Sequence, residues 1–132
     1  MEEVRKKEFI YRGKTLEELK KLDVREFAKL LRARQRRSVL RQFQEIEKFV
    51  NRARTKISRN KLLRTNQRDL IVVPQMVGMK ISIHNGKNFI ATTIVEEMLG
   101  HTLGEFALTR GRTKHGKQGV GATKGTKFKS KK

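Results

Sequence analysis

Acid–base or metal chemistry in this chain would have to come from three histidines, His84, His101 and His115, and from the carboxylates Glu96, Glu97 and Glu105. A zinc site needs ligands that converge, such as two histidines four apart on one helix or closely spaced thiolates. These histidines lie at wide intervals and the chain has no cysteine. A nuclease using Glu96, Glu97 and His101 would need a metal-ligand cluster that the sequence does not display. Glycine-rich phosphate loops fail as well. Gly116 and Gly121 have the separation of a nucleotide-binding loop, but Ala122 stands where that loop requires lysine. Gly119-Val120-Gly121 opens like a dinucleotide fingerprint, but Lys124 takes the third glycine position and no strand leads in. No catalytic residue, metal or cofactor is assigned, and the chain is read as a non-enzyme.

What remains is the chemistry of neutralising phosphate. The 132 residues carry 33 Lys and Arg against 13 Asp and Glu, a net charge of +20. Residues 32–68 hold 13 of the cations against two acids, and residues 110–132 hold nine against none. Residues 69–109 net −2 and residues 1–31 net +2. A nearly neutral core with two cationic flanks suits a polyphosphate partner, because releasing condensed counterions supplies affinity without specific contacts. In residues 32–68 arginine outnumbers lysine ten to three. Guanidinium binds phosphate bidentately and stacks on bases, whereas ammonium acts as a point charge.

The candidate RNA-binding residues follow from this distribution. Around the long helix they are Arg32, Arg34, Arg36, Arg37, Arg52, Arg59, Lys61, Arg64 and Arg68, of which Arg36, Arg37, Arg59 and Arg64 are the leading phosphate contacts. In the core they are Lys80, His84, Asn85, Gly86, Lys87 and His101. In the tail they are Arg110, Arg112, Lys114, His115, Lys117, Lys124, Lys127, Lys129, Lys131 and Lys132. An architectural DNA-binding protein of chromatin type is the competing class, since it too would be small and cationic.

The elements that position these residues are legible in outline. Thr15 with Glu18 and Asp23 with Glu26 fit capping boxes, predicting two short helices with stripes at Leu16, Leu19 and Leu22 and at Phe27, Leu30 and Leu31. From Ser38, Val39, Phe43, Ile46, Val50, Ala53 and Ile57 recur at steps of four and three, the seam of one long helix flanked by Arg32–Arg37 before it. Asp69–Val73 reads as a buried strand ending at Pro74. Met79, Ile81 and Ile83 alternate with polar residues ahead of Asn85-Gly86-Lys87 and a second run from Phe89 to Ile94, a hairpin signal. A two- or four-residue loop sets Ile81 opposite Ile90; a three-residue loop with Gly86 in a bulge sets it opposite Phe89. Phe89 is expected in the core; facing outward, it could stack a base. Val95–Leu99 suggests a short helix stopped by Gly100. The tail alternates glycine with cations and has too few apolar side chains for a core.

The expected fold class is α+β: a small antiparallel sheet with a hairpin, N-terminal helices including one long basic helix, and a flexible basic C-terminal tail. One domain is expected, divided into a helical extension (1–68), a core (69–109) and a tail (110–132). Without cysteine, an apolar leader or a membrane-length apolar run, the chain is expected to be soluble, intracellular and cytoplasmic, with no membrane partner.

Pro74-Gln75-Met76-Val77-Gly78, Asn85-Gly86-Lys87, Ile94, Leu99-Gly100-His101, Leu103-Gly104-Glu105-Phe106 and Thr109 together resemble the S-nineteen family of small-subunit ribosomal proteins in order, spacing and residue type. The extended N-terminal helices and Gly119-Val120-Gly121-Ala122-Thr123 look like its archaeal and eukaryotic branch. The resemblance implies a structural RNA-binding protein that holds the 3′ domain of the small-subunit rRNA in the subunit head, beside small-subunit ribosomal protein number thirteen. It also implies a small antiparallel sheet with helices, and a tail reaching toward tRNA and the decoding region, with tRNA and the large subunit as further expected partners.

Overall fold

A computed structural model describes residues 7–113, 119 and 122–128. The chain opens with a hairpin, β1 (Ile10–Tyr11) antiparallel to β2 (Lys14–Thr15). Arg12 and Gly13 form its two-residue loop with φ of 52° and 78°, the left-handed pair that matches strand twist. Two short helices follow, α1 (Leu16–Lys21) and α2 (Val24–Ala28), as the capping boxes predict. The Thr15 N–H donates to Glu18 Oε2 at 3.1 Å, and the Asp23 N–H donates to Glu26 Oε2 at 3.4 Å.

The long helix α3 runs Ala33–Ser58. It begins earlier than the apolar seam predicts, so Arg34, Arg36 and Arg37 are its first turns rather than a flank. A local bond helps explain this start: Arg36 Nη2 donates to the carbonyls of Leu31 (3.1 Å) and Lys29 (3.2 Å), occupying acceptors left free at the end of α2. The far end closes with Asn60 left-handed (φ 52°), the Asn60 N–H bonded to the Ile57 carbonyl at 3.0 Å and the Lys61 N–H to the Lys56 carbonyl at 2.9 Å. Val39, Ile46, Val50 and Ala53 are buried as the seam requires, joined by Phe49, whereas Ile57 at the end of the seam is 42% exposed and Phe43 is half-buried under the Arg25 guanidinium, 3.9 Å from the ring centroid.

The sheet has three strands in the order β3 (Leu63–Thr65), β4 (Lys80–His84), β5 (Phe89–Thr93). It is mixed: β4–β5 is the expected antiparallel hairpin, but β3 lies parallel to β4, with Leu63 beside Ile81 and Thr65 beside Ile83. The hairpin loop has four residues. Ile83, not Ile81, pairs with Ile90, and Ile81 pairs with Thr92. The even-length loop therefore sets the faces correctly but shifts the pairing by two residues from the expected register. Asn85 Oδ1 accepts the N–H groups of Lys87 (3.0 Å) and Asn88 (2.7 Å), and Gly86 takes φ 99°, fixing the loop length.

Leu70–Val73 is buried as expected, but it is not a strand of this sheet. Its backbone bonds go to the segment after Gly100: the Val72 N–H to the His101 carbonyl (2.8 Å), the Gly100 N–H to Val72 (3.1 Å) and the Leu103 N–H to Leu70 (2.9 Å). Pro74–Met76, Glu96–Met98 and Leu103–Phe106 are single 3₁₀ turns, so the short helix expected at 95–99 tightens to one turn. Side chains of α1, α2 and α3 share one core with Ile81, Ile83, Leu70–Val73, Met76, Leu103 and Ala107. No helix among the described residues is long and apolar enough to cross a membrane.

Candidate nucleic-acid interface

An amphipathic helix must leave its uncommitted face to solvent or to a partner. On α3, Arg34, Arg37, Arg41, Lys48 and Arg52 recur at steps of three, four and seven, so they align on one exposed face, away from the buried seam. At about 1.5 Å per residue this cationic stripe is about 27 Å long. Glu45 is the one acid on it. Arg32 caps the helix at one end and Arg59 at the other, both exposed. Arg41 and Lys48 complete the stripe although they are absent from the candidate set; their heptad spacing from Arg34 is the signal that finds them.

Among the described residues no Lys or Arg lies within ion-pair distance of a carboxylate, and the one acid–base contact is His101 Nδ1 to Glu105 Oε2 at 2.7 Å. The cations are therefore left uncompensated within the described fold. Some of them nevertheless have internal partners. Arg68 is half-buried: its Nη1 donates to the His84 carbonyl (2.5 Å), and its Nη2 to the carbonyls of Gly104 (2.8 Å) and Ala107 (2.6 Å). Arg36 is the α2 clasp described above. Gly104 is where the two segments touch, because a Cβ there would stand 3.0 Å from the Arg68 carbonyl oxygen.

Around the sheet, Lys61, Arg64, Lys80, Gly86 and Lys87 are exposed, and His84 and Asn85 are half-buried. His84 Nδ1 accepts the Gly86 N–H at 3.1 Å, which leaves the ring proton of the neutral imidazole on Nε2. Phe89 is 40% exposed, which overturns its expected place in the core. Its ring meets His84 edge-on at 4.9 Å, and the Arg64 guanidinium stands 5.3 Å from its centroid. His101 is exposed, bonded to Glu105 and edge-on to Phe106 at 6.1 Å. Arg110 and Arg112 are exposed, as are Lys124 and Lys127 at the 3₁₀ turn Lys124–Thr126. Lys114, His115, Lys117, Lys129, Lys131 and Lys132 lie outside the described residues.

Glu105, one of the three carboxylates that could serve acid–base chemistry, is held by His101 and by the Thr102 hydroxyl at 3.3 Å. Among the described residues no three His, Asp or Glu side chains come together as metal ligands. The arrangement presents a cationic helix face beside an exposed hairpin turn.

Comparison with known proteins agrees with that chemistry. Residues 32–115 match the family model described as ribosomal protein S19, a span that begins at the N-cap of α3 and includes the whole sheet. The chain is also 48% identical, over 94% of its own length and 87% of the relative's, to "Small ribosomal subunit protein uS19" of the archaeon Methanocella arvoryzae. With the stripe of α3, the Asn85-Gly86-Lys87 turn and the Gly100–Phe106 segment all inside the matched span, the chain belongs to the ribosomal protein S19 family.

Proposed function

We propose that this chain binds the 3′ head domain of small-subunit rRNA, with the α3 stripe along phosphates and the hairpin tip and Gly100–Phe106 segment fitted to folded RNA. As a family member it is a structural constituent of the small ribosomal subunit, working in the cytoplasm among rRNA and other ribosomal proteins. The single observation that carries the RNA reading is the aligned stripe of cations, none with a carboxylate partner among the described residues. Arg32, Arg34, Arg37, Arg52, Arg59 and Lys61 are the phosphate contacts of the helix and the turn after it, Arg64 contacts RNA from β3, and Arg36 and Arg68 act mainly in holding that surface together. The neighbouring protein is small-subunit ribosomal protein number thirteen. The cations of residues 110–132 serve tRNA and the decoding region, and 69–109 supply the shape-reading part.

The test is binding to a folded head-domain rRNA fragment and to duplex DNA of equal length, each across a salt series. Preference for the RNA that persists as salt rises supports the reading, because a purely electrostatic polycation loses both together. Equal affinities that collapse in parallel would return the protein to the architectural DNA-binding class.

A further inference from the structure

The core face of the sheet is closed, with Ile81 and Ile83 both at 0% exposure. Its other face is open. Across the hairpin that face carries three residue pairs in succession: His84 with Phe89, Ser82 with Ala91, and Lys80 with Thr93. Arg64 extends it from β3, in register with Ser82. The middle pair is small, so Arg64 can cross β4 above Ser82 and bring its guanidinium to 5.3 Å from the Phe89 centroid. By contrast, Arg25 packs at 3.9 Å over the half-buried Phe43. The outer pair is the looser of the two, and its ring stays 40% exposed.

Successive pairs along one face of a strand lie about 6.8 Å apart, and the small Ala91 leaves room along β5, beside the Arg64 side chain, for a planar ring to stand next to Phe89. A planar π-face, a guanidinium and an imidazole at one end of a face with small residues at its centre are the components with which sheets hold unpaired bases. Lys80 at the far end and Lys87 in the loop are exposed cations suited to the adjoining phosphates. Toward Lys80 the same face adjoins an apolar groove in which Ile57 and Leu62 are 42% and 71% exposed, so the base is assigned to the other end, beside Phe89 and His84.

We propose that the outer face of the β3–β4–β5 sheet is a single-nucleotide subsite, in which one unpaired RNA base stacks on Phe89 and is clamped by Arg64. The subsite rests on the RNA reading above. It adds a point where the protein distinguishes an extruded base from a paired one, which the α3 stripe alone cannot do.

Two RNAs test it with the full chain: a short single strand carrying 2-aminopurine, whose fluorescence reports stacking, and a blunt duplex of equal length. The wild type should quench the 2-aminopurine. Phe89→Leu should abolish the quenching and weaken single-strand binding by roughly 5- to 150-fold, the usual effect of losing one stacked base, while leaving duplex binding unchanged. Phe89→Tyr, which keeps the ring, should behave as wild type and shows that the site tolerates substitution. Undiminished single-strand binding by Phe89→Leu overturns the subsite and leaves this face to a protein partner. Equal loss for both RNAs overturns it too, since the effect would then not depend on an unpaired base. If the wild type binds neither RNA, the RNA reading itself falls, and the subsite with it.

Discussion

Arg68→Met removes a guanidinium while keeping most of its aliphatic stem, and the structure fixes what is lost. Three hydrogen bonds run from one half-buried cation to the carbonyls of His84, Gly104 and Ala107, which lie 16, 36 and 39 residues away in sequence. A hydrogen bond from a charged donor contributes about 1.5–3 kcal/mol when well enclosed and nearer 1 when the acceptor can recover water. His84 and Gly104 are half-buried and take the lower figure, while Ala107 is fully buried, so the three bonds together give a loss of at least about 3 kcal/mol. For a domain of this size each kcal/mol moves the midpoint by about 3–5 °C, which predicts a fall in Tm of about 10–15 °C by thermal circular dichroism. Arg68→Lys should recover little, because a single ammonium cannot span the three acceptors. The companion assay is the salt dependence of RNA binding, which should keep its slope because this cation faces the protein. A Tm within about 2 °C of wild type, together with a slope reduced by about one phosphate contact, would refute the assignment and return Arg68 to the RNA surface.

Two further outcomes follow from the same geometry. Replacing Arg37, Arg52 and Arg59 together with glutamine should flatten the salt dependence of RNA binding by roughly 0.7 to 0.9 in slope per lost contact, and an unchanged slope would remove α3 from the interface. Gly100→Ala should destabilise more than Gly78→Ala in urea unfolding. Both glycines hold positive φ (80° and 87°), costing about 1 kcal/mol of backbone strain, but only at Gly100 does the new Cβ meet a side chain, Leu31 Cδ2 at 3.0 Å. Equal midpoints for the two variants would contradict that contact.

The elements legible in the sequence are those specified by neighbours along the chain. Thr15 and Asp23 announce their helices through residues three positions on, the seam from Val39 to Ala53 repeats at helical period, and Asn85-Gly86 marks the hairpin. The misread elements depend on distant partners. β3 is three residues long and owes its existence to β4, which begins 15 residues after β3 ends, so no local pattern declares it. Leu70–Val73 has the composition of a buried strand, but its partners lie beyond Gly100. The candidate site divides the same way. Charge segregation locates the basic surface, yet Arg36 and Arg68 have the same composition and setting as their neighbours, and only the carbonyls they meet distinguish clasp from contact. Phe89 follows suit, since a register shift of one residue would have turned its ring to the core.

The clasp between Arg68 and the Gly104–Ala107 segment also sets a timetable for synthesis. In the finished fold α2 packs on α3, and β4 pairs with β5 across a four-residue loop, so these contacts join elements adjacent in sequence. The Leu70–Val73 segment finds its backbone partners only after residues 100–103 follow, and the guanidinium of Arg68 completes its set at Ala107. Until then the growing chain shows the apolar seam of α3 without the cover that the later segments supply, next to the thirteen cations of residues 32–68. Closing the core last means that a strongly cationic intermediate precedes the finished domain. The interval between those two states, rather than the stability of the finished fold, is when the protein is most exposed to capture by the wrong polyanion.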